Sequence, residues 1–575
     1  MTDIIDHSNI LKEIGSELSR IGKLADSGAQ FDVSFSSDLD KGDISTNIAL
    51  KHFKQMGYSS PMEAAEKIAK QYNQDNDSCI EKVEAVKPGF INFFLARSIL
   101  ANNLSLIIQE KDTYGSSAIN NGKKVVVEFS SPNIAKPFTI GHLRSTIIGS
   151  AISNLLAATG WTVYKDNHLG DWGTQFGKQI YAIKEWGDLE KIEQSENPVK
   201  ELVSLYVKFH EEAEKDPELE EAARVWFKKL EEGDPEARGL WQKCVDLSWK
   251  EFEKLYGMLD IAFTENNGRG FGESYFEDKM EPIIAELKSK DFLKEDKGAQ
   301  LVYFPEDKYP PLMVLKQDGA SLYSTRDLAT DKFRLDKYGN EVVIINEVGA
   351  EQSLYFNQLY ELEKMLSWVK DGQRIHLRHG LYRFKEGKMS TRKGNTVWLE
   401  DVLQEAVDKA NKLGNENLTQ ETAEQIGVGA LKWNDLKRDP VSDITFDWDD
   451  ILNMHGNSGP YMQYAYARTQ NVLNKSKEQR AKSQLELHDV NSEELAVLRM
   501  LVHYPEIVFQ ASSILSTSIL CTYLYELAQK FNVFYEKHKV IGSENEVFRL
   551  ALTDAVGQVL KNGLTLLGIP TPQKI

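Results

Sequence analysis

Along the first hundred positions the apolar residues fall into two rhythms. Ile10, Leu11, Ile14 and Leu18 recur at helical spacing, which predicts an amphipathic helix with one buried stripe. Gly42-Asp43-Ile44-Ser45-Thr46-Asn47 then punctuates the chain, and Ser45 or Thr46 could cap the helix that follows. A second amphipathic stretch begins after Pro61. In Val83–Leu95 two strand-like runs are split by Pro88-Gly89, which suggests a hairpin. Residues 1–115 therefore read as a small α+β unit, and the polar stretch Ser116–Lys124 reads as a linker.

From Val125 the pattern changes. Val125-Val126-Val127-Glu128-Phe129 has the unbroken apolar character of a buried strand, Ser130-Ser131-Pro132-Asn133 breaks it, and the chain from Gly141 onward is helical. Strand, loop and helix in that order are a unit of a nucleotide-binding α/β sheet. Val342–Ile345 and His376–Tyr382 read as further strands of the same sheet. Between them, residues of about 185–300 are charged and helical, with Glu212, Glu214, Glu218 and Glu221 among lysines and arginines, and a hairpin is suggested at Gln300–Tyr303. Beyond about 449 the chain is nearly all helix: Leu495, Leu498 and Val502 share a face behind Asn491 and Glu494 at capping-box spacing, and Leu520, Leu524, Leu527, Phe531 and Phe534 make another stripe. The fold class expected is α/β. A Rossmann-type parallel-sheet domain over 116–448, interrupted by the insertion at about 185–300, stands between a small N-terminal α+β domain (1–115) and an all-α C-terminal domain (449–575).

Composition narrows the function. Of 575 residues, 41% are hydrophobic and 27% charged, which excludes a disordered chain. The net charge of −19 disfavours indiscriminate binding to nucleic acid but leaves room for a shaped interface with local basic residues. Cys79, Cys244 and Cys521 are too few and too scattered for a disulfide framework or a metal knuckle. No run is apolar enough to span a membrane, and Met1–Asp6 lacks the basic and apolar regions of a signal peptide, so a cytoplasmic protein with no membrane partner is expected.

Two segments carry candidate chemistry. Ser131–Thr146 places Gly141-His142 at a helix N-terminus, where unpaired backbone N–H groups and the helix dipole favour an anion such as a triphosphate. Phe384–Gly394 sets four cations, Lys385, Lys388, Arg392 and Lys393, within nine residues alongside Gly387 and Gly394, a basic loop suited to gripping phosphates. Taken alone, the first is more simply a satisfied core or surface histidine and the second an ordinary solvated turn. Together, and in this order, they resemble the HIGH and KMSKS signatures of class I aminoacyl-tRNA synthetases. Glu128–Phe138, Gly141–Thr146, Asn167–Gly177, Tyr323–Asp327 and Gly459–Arg468 narrow the resemblance to arginyl-tRNA synthetases, over essentially the whole chain.

The resemblance implies a ligase that activates arginine with ATP and Mg²⁺ and transfers it to the 2′-OH of the terminal adenosine of tRNA(Arg), as a monomer. It implies that His142, Lys388 and Ser390 are catalytic, and that Thr139, Gly141, His142, Lys388 and Met389 bind ATP. Glu128, Tyr323 and Asp327 would meet the guanidinium, and Ser131, Asn133 and Gln352 the α-amino and carboxylate groups. The N-terminal domain would touch the tRNA elbow, and the helical domain would read the anticodon, with Tyr461, Tyr464, Tyr466 and Arg468 at the RNA. No ion-binding residues of the protein itself are implied. Two positions depart from the family pattern: Thr139 replaces the first His of HIGH, and Arg392 replaces the last Lys of KMSKS. Two other readings fit parts of the sequence, a nucleotidyltransferase acting without RNA and a synthetase-like RNA-binding protein without catalysis.

Overall fold

A computed structural model of the chain describes residues 7–24, 28–36, 41–74, 79–317, 322–384, 397–413, 418–476 and 490–575. The centre of the molecule is a four-stranded, all-parallel sheet of Lys124–Glu128, Thr162–Asp166, Val343–Gly349 and Arg374–His379. Val125, Val126 and Val127 are all buried because both faces of a parallel sheet are covered, which is why that strand shows no alternation in sequence. In space Arg374–His379 lies outermost, then Val343–Gly349, Lys124–Glu128 and Thr162–Asp166. The chain therefore moves one way from Lys124–Glu128 to Thr162–Asp166 and later returns to the other side of its first strand. That reversal puts a crevice at the carboxyl ends of Lys124–Glu128 and Val343–Gly349, where open α/β sheets bind ligands.

The insertion is helical over Leu189–Gln194, Pro198–Ala213, Glu218–Glu231 and Pro235–Met258. It is followed by a three-stranded antiparallel sheet in which Ala299–Val302 lies between Leu293–Asp296 and Leu312–Leu315, so the hairpin expected at Gln300–Tyr303 has a third strand. In the N-terminal unit Ile80–Val86 and Phe90–Leu95 pair antiparallel, as the Pro88-Gly89 break suggests. The capping role expected of Ser45 or Thr46 is corrected: both lie in the strand Ile44–Thr46, and the helix begins only at Ile48 and runs to His52. Asn491 and Glu494 do form the reciprocal capping box, with N–H to side-chain bonds of 2.9 and 3.0 Å. Among the described residues no helix is long and apolar enough to cross a membrane.

One continuous apolar core runs from Ile10 in the first helix, under the central sheet, to Ile569 near the C-terminus. The N-terminal unit is also pinned to the helical domain by polar contacts. The Tyr114 hydroxyl donates to the Leu501 carbonyl at 3.0 Å, and buried Asp43 accepts from the Leu95 N–H at 2.8 Å and pairs with Arg499. Gly115 is left-handed at φ 93°, and a Cβ there would lie 2.2 Å from the Tyr504 ring.

Candidate active site

The segment between the first sheet strand and the helix Ile140–Ala158 is wound tightly. Ser130, Ser131 and Ala135 have positive φ of 75°, 43° and 54°, conformations that cost energy in residues with a Cβ and tend to gather at functional sites. Neighbours hold them in place. Ser145 Oγ accepts from the Ser130 N–H at 2.9 Å, Asn167 Oδ1 from the Ser131 N–H at 3.0 Å, and Ser248 Oγ from the Ala135 N–H at 3.0 Å. Asn133 is set against Gly170, where a Cβ would come within 2.4 Å of Asn133 Oδ1.

Thr139 is the N-cap of the helix, and the Thr139 N–H donates to His142 Nδ1 at 3.0 Å. That bond places the ring proton on Nε2. Burial pushes the His142 imidazole down to about 4, so the ring is neutral and works as a hydrogen-bond donor rather than a charge. An antiparallel bridge joins Thr139 to Trp398, and the strand Tyr382–Phe384 pairs with Ile444–Phe446, so both ends of the basic segment are anchored beside the signature helix. Arg144 on that helix is fully buried, with its guanidinium on Asp435 and the Pro440 and Ser442 carbonyls. Tyr382 donates to the same Asp435 at 2.7 Å, tying the strand before the basic segment to the helix that carries His142.

At the crevice lies a cavity of about 300 Å³ lined by Glu128, Ser131, Asn133, Tyr323, Asp327 and Gln352, and also by His168, Glu273, Asp331, Arg334 and Tyr355. Four of these are carboxylates, and their environments differ. Arg334, fully buried, pairs with Glu128 at 2.6 Å, Asp166 at 2.8 Å and Asp331 at 3.2 Å. Burial opposes ionisation of Glu128, and Arg334 and His168 together outweigh it and hold that carboxyl below its usual value. Asp327 has no such permanent cation: it accepts from the Tyr355 hydroxyl, and His168 Nε2 lies 3.8 Å away. Burial pushes the Asp327 carboxyl up to about 6, against the pull of His168 and Tyr355. Burial likewise pushes Glu273 up to about 7, although Arg326 pairs with it at 3.2 Å. Among the described residues Ser131 Oγ and His168 Nε2 are buried without a hydrogen bond.

Residues 103–448 match the family of class I (R) tRNA synthetase catalytic domains, residues 8–95 the arginyl-tRNA synthetase N-terminal domain, and residues 462–575 the DALR anticodon-binding domain. The arginine–tRNA ligase of Clostridium perfringens is 42% identical over 528 residues, covering 90% of this chain and 91% of the relative. The chain belongs to the arginyl-tRNA synthetases. The arginine–tRNA ligase of Halothermothrix orenii is 41% identical over 541 residues, 92% of this synthetase and 93% of the relative. The crystal structure of the Plasmodium falciparum arginyl-tRNA synthetase superposes with a TM-score of 0.81 at 26% identity, over 98% of this chain and 99% of that one. The Thermus thermophilus enzyme has the same fold, with a TM-score of 0.81 at 22% identity over 98% and 100% of the two chains.

Of the residues expected from the sequence, all six assigned to arginine line this same cavity. Thr139, Gly141 and His142 stand at the helix N-terminus, while Lys388, Met389, Ser390 and Arg392 lie outside the described residues. The four residues expected at RNA are separated. Tyr464 is exposed, and Arg468 stacks 5.0 Å from its ring centre and 5.3 Å from that of Tyr535. Tyr461 is half-buried and accepts from Asn532, and Tyr466 is buried in the helical core, so its ring offers no face to a base. Tyr535 is the neighbour that sequence spacing did not reveal. His168 and Glu273 were equally hidden. His168 sits in the quoted Asn167–Gly177 run without a chemical mark of its own, and Glu273 has no motif around it.

Proposed function

We propose that the cavity receives arginine and that the face beside His142 receives the triphosphate of magnesium-bound ATP, in the charging of tRNA(Arg) with arginine that this family carries out. The observation that carries the reading is the unequal charge balance of the cavity. Glu128 and Asp331 are paired with Arg334 and Glu273 with Arg326, so Asp327 is the carboxylate without an arginine partner, left to meet an incoming cation. A guanidinium suits it, since its planar fork of donors meets a carboxylate and the Tyr323 and Tyr355 hydroxyls better than an ammonium does. Ser131, Asn133 and Gln352, on the side toward the signature helix, would hold the α-amino and carboxylate groups.

In the first step an oxygen of the arginine carboxylate attacks the α-phosphorus of ATP, the bond to the β-phosphate oxygen breaks, and pyrophosphate leaves. The His142 Nε2–H, oriented by Thr139, donates to phosphate oxygens, and Lys388 with Ser390 follows the charge that grows on them. In the second step the 2′-OH of the terminal adenosine attacks the activated carbonyl, loses its proton and releases AMP. The anticodon stem would lie along Tyr464, Arg468 and Tyr535, and the elbow along the N-terminal unit. The reading takes the enzyme as a cytoplasmic monomer. Its test is ATP/pyrophosphate exchange with and without tRNA(Arg): exchange should require arginine, rise from near background when tRNA is added, and fall roughly 10² to 10³-fold in kcat for Lys388→Ala. Exchange independent of arginine, or Lys388→Ala within threefold of the parent, would overturn it.

A further inference from the structure

His168 follows the strand Thr162–Asp166 and lines the cavity near Asp327 Oδ1, while Tyr355 donates to Oδ2. Its Nδ1 lies 2.9 Å from the Phe271 carbonyl, which accepts only, so Nδ1 carries hydrogen. The ring packs against Phe276 with centres 5.7 Å apart, fixing its plane. Nε2 then has its place decided by the fold: it is buried, makes no hydrogen bond among the described residues, and stands 3.8 Å from Asp327 Oδ1. An orphaned polar atom of this kind is costly unless something arrives to meet it.

The groups facing the ring come from four directions. Glu128 approaches from the end of its strand, Asp327 and Arg334 from the helix Tyr323–Tyr338, Glu273 from the short helix Glu273–Lys279, and Asp171 from the loop after His168 itself. Burial works to lower the imidazole's proton affinity and Arg334 adds to it, and the Glu128, Asp327 and Glu273 carboxylates together outweigh both, so the ring sits above its ordinary value.

We propose that His168 is a further residue of the arginine subsite, an imidazolium standing beside Asp327 in the empty cavity that surrenders its Nε2 proton to solvent when the substrate guanidinium takes that place. The inference rests on the assignment of the cavity to arginine. Two cations a few ångströms apart in a partly desolvated site repel, and the imidazolium is the one that can discharge, since a guanidinium stays protonated in proteins. The Nε2–H bond breaks, the proton passes to buffer, and Nδ1–H stays on Phe271. The freed Nε2 lone pair becomes an acceptor for a guanidinium N–H, so the same ring that balances the empty site helps bind the substrate. A neutral isostere such as citrulline displaces no charge and leaves the proton in place.

Isothermal titration of arginine into the full-length enzyme at pH 7, in two buffers of different ionisation enthalpy, counts the protons released. The parent should release roughly half to one proton per arginine, and His168→Gln should lose most of that release. Glu273→Gln should keep it, which separates His168 from a carboxyl of the same cavity that burial pushes up to about 7. A parent that releases none, a His168→Gln variant that releases as many as the parent, or a Glu273→Gln variant that releases none overturns the proposal. Asp327→Asn separates the two levels of inference. If it binds arginine as the parent does, the cavity assignment itself fails. If it loses arginine while His168→Gln still releases the full proton, the cavity stands and His168 has no part in it. Should His168→Gln not fold, His168→Asn takes its place in the proton count, and the parent's arginine Kd must also weaken as pH falls below the imidazole's titration, a loss to which the Asp327 carboxyl adds near pH 6. A Kd flat from pH 6 to 8 refutes the exchange.

Discussion

Replacing Asp327 by asparagine removes one charge from the cavity and almost no volume, so the change reads the value of that charge to arginine. Breaking a buried ion pair by deleting one partner costs roughly 3 to 5 kcal/mol. Asp327 has 26% of its side chain exposed and a hydroxyl already bound to it, which puts the loss at the lower end of that range, near 3 kcal/mol. At about 1.4 kcal/mol per tenfold, kcat/KM for arginine should fall about 10² to 10³-fold, with KM for ATP within twofold of the parent. The assay is ATP/pyrophosphate exchange in the presence of tRNA(Arg), run with arginine and with citrulline. Citrulline should be poor for both proteins, and the variant should lose most of the parent's preference for arginine. A second signature comes from pH. Because the Asp327 carboxyl lies near 6 and only its charged form pairs with a guanidinium, the parent should lose arginine affinity as pH falls through 6, a component absent from the variant. An Asp327→Asn enzyme that separates arginine from citrulline as sharply as the parent refutes the pairing and points to Glu128 instead.

Three other outcomes are expected. His142→Ala should lower kcat in exchange by about 10² to 10³-fold, while Thr139→Ala should cost less, since the backbone N–H that orients the ring survives; because the His142 ring is neutral well below pH 6, the parent's kcat from pH 6 to 9 should carry no inflection from it. Arg468→Ala, which unstacks Tyr464 and Tyr535, should raise the Kd for tRNA(Arg) roughly tenfold in filter binding and leave KM for arginine unchanged; unaltered tRNA affinity would remove this face from the RNA surface. Asp43→Ala leaves Arg499 without its carboxylate and should lower the urea midpoint by an amount equivalent to roughly 3 kcal/mol, read by circular dichroism.

What sequence could reveal follows the range of the forces involved. The valine run of the first strand, the Asn491–Glu494 cap and the stripe from Leu520 to Phe534 are set by neighbours a few residues away, and each is where its pattern places it. Ser45 and Thr46 mislead for the same reason: their types suit a cap, but pairing with Ile91 and Asn92 draws them into a strand, a contact nearly fifty residues distant. The six arginine candidates came from resemblance and meet in one cavity, yet their unequal charge balance was invisible. Glu128 and Arg334 are paired only because the crossover to Val343–Gly349 returns the chain beside its first strand. His142 could be located but not its tautomer, since that depends on the Thr139 N–H in the folded helix.

The triple pairing of Arg334 also bears on what the cavity keeps out. Carboxylates converging without a fixed cation would make an oxygen-rich cage attractive to hard divalent ions. By pairing with Glu128, Asp166 and Asp331, Arg334 breaks up that cage before any ion reaches it and leaves Asp327 as the carboxylate of the cavity without an arginine partner. In the proposed arginine subsite the residue is an internal counterpart of the substrate, the same guanidinium group built into the wall, where it would turn a general cation trap into a seat for a single arginine.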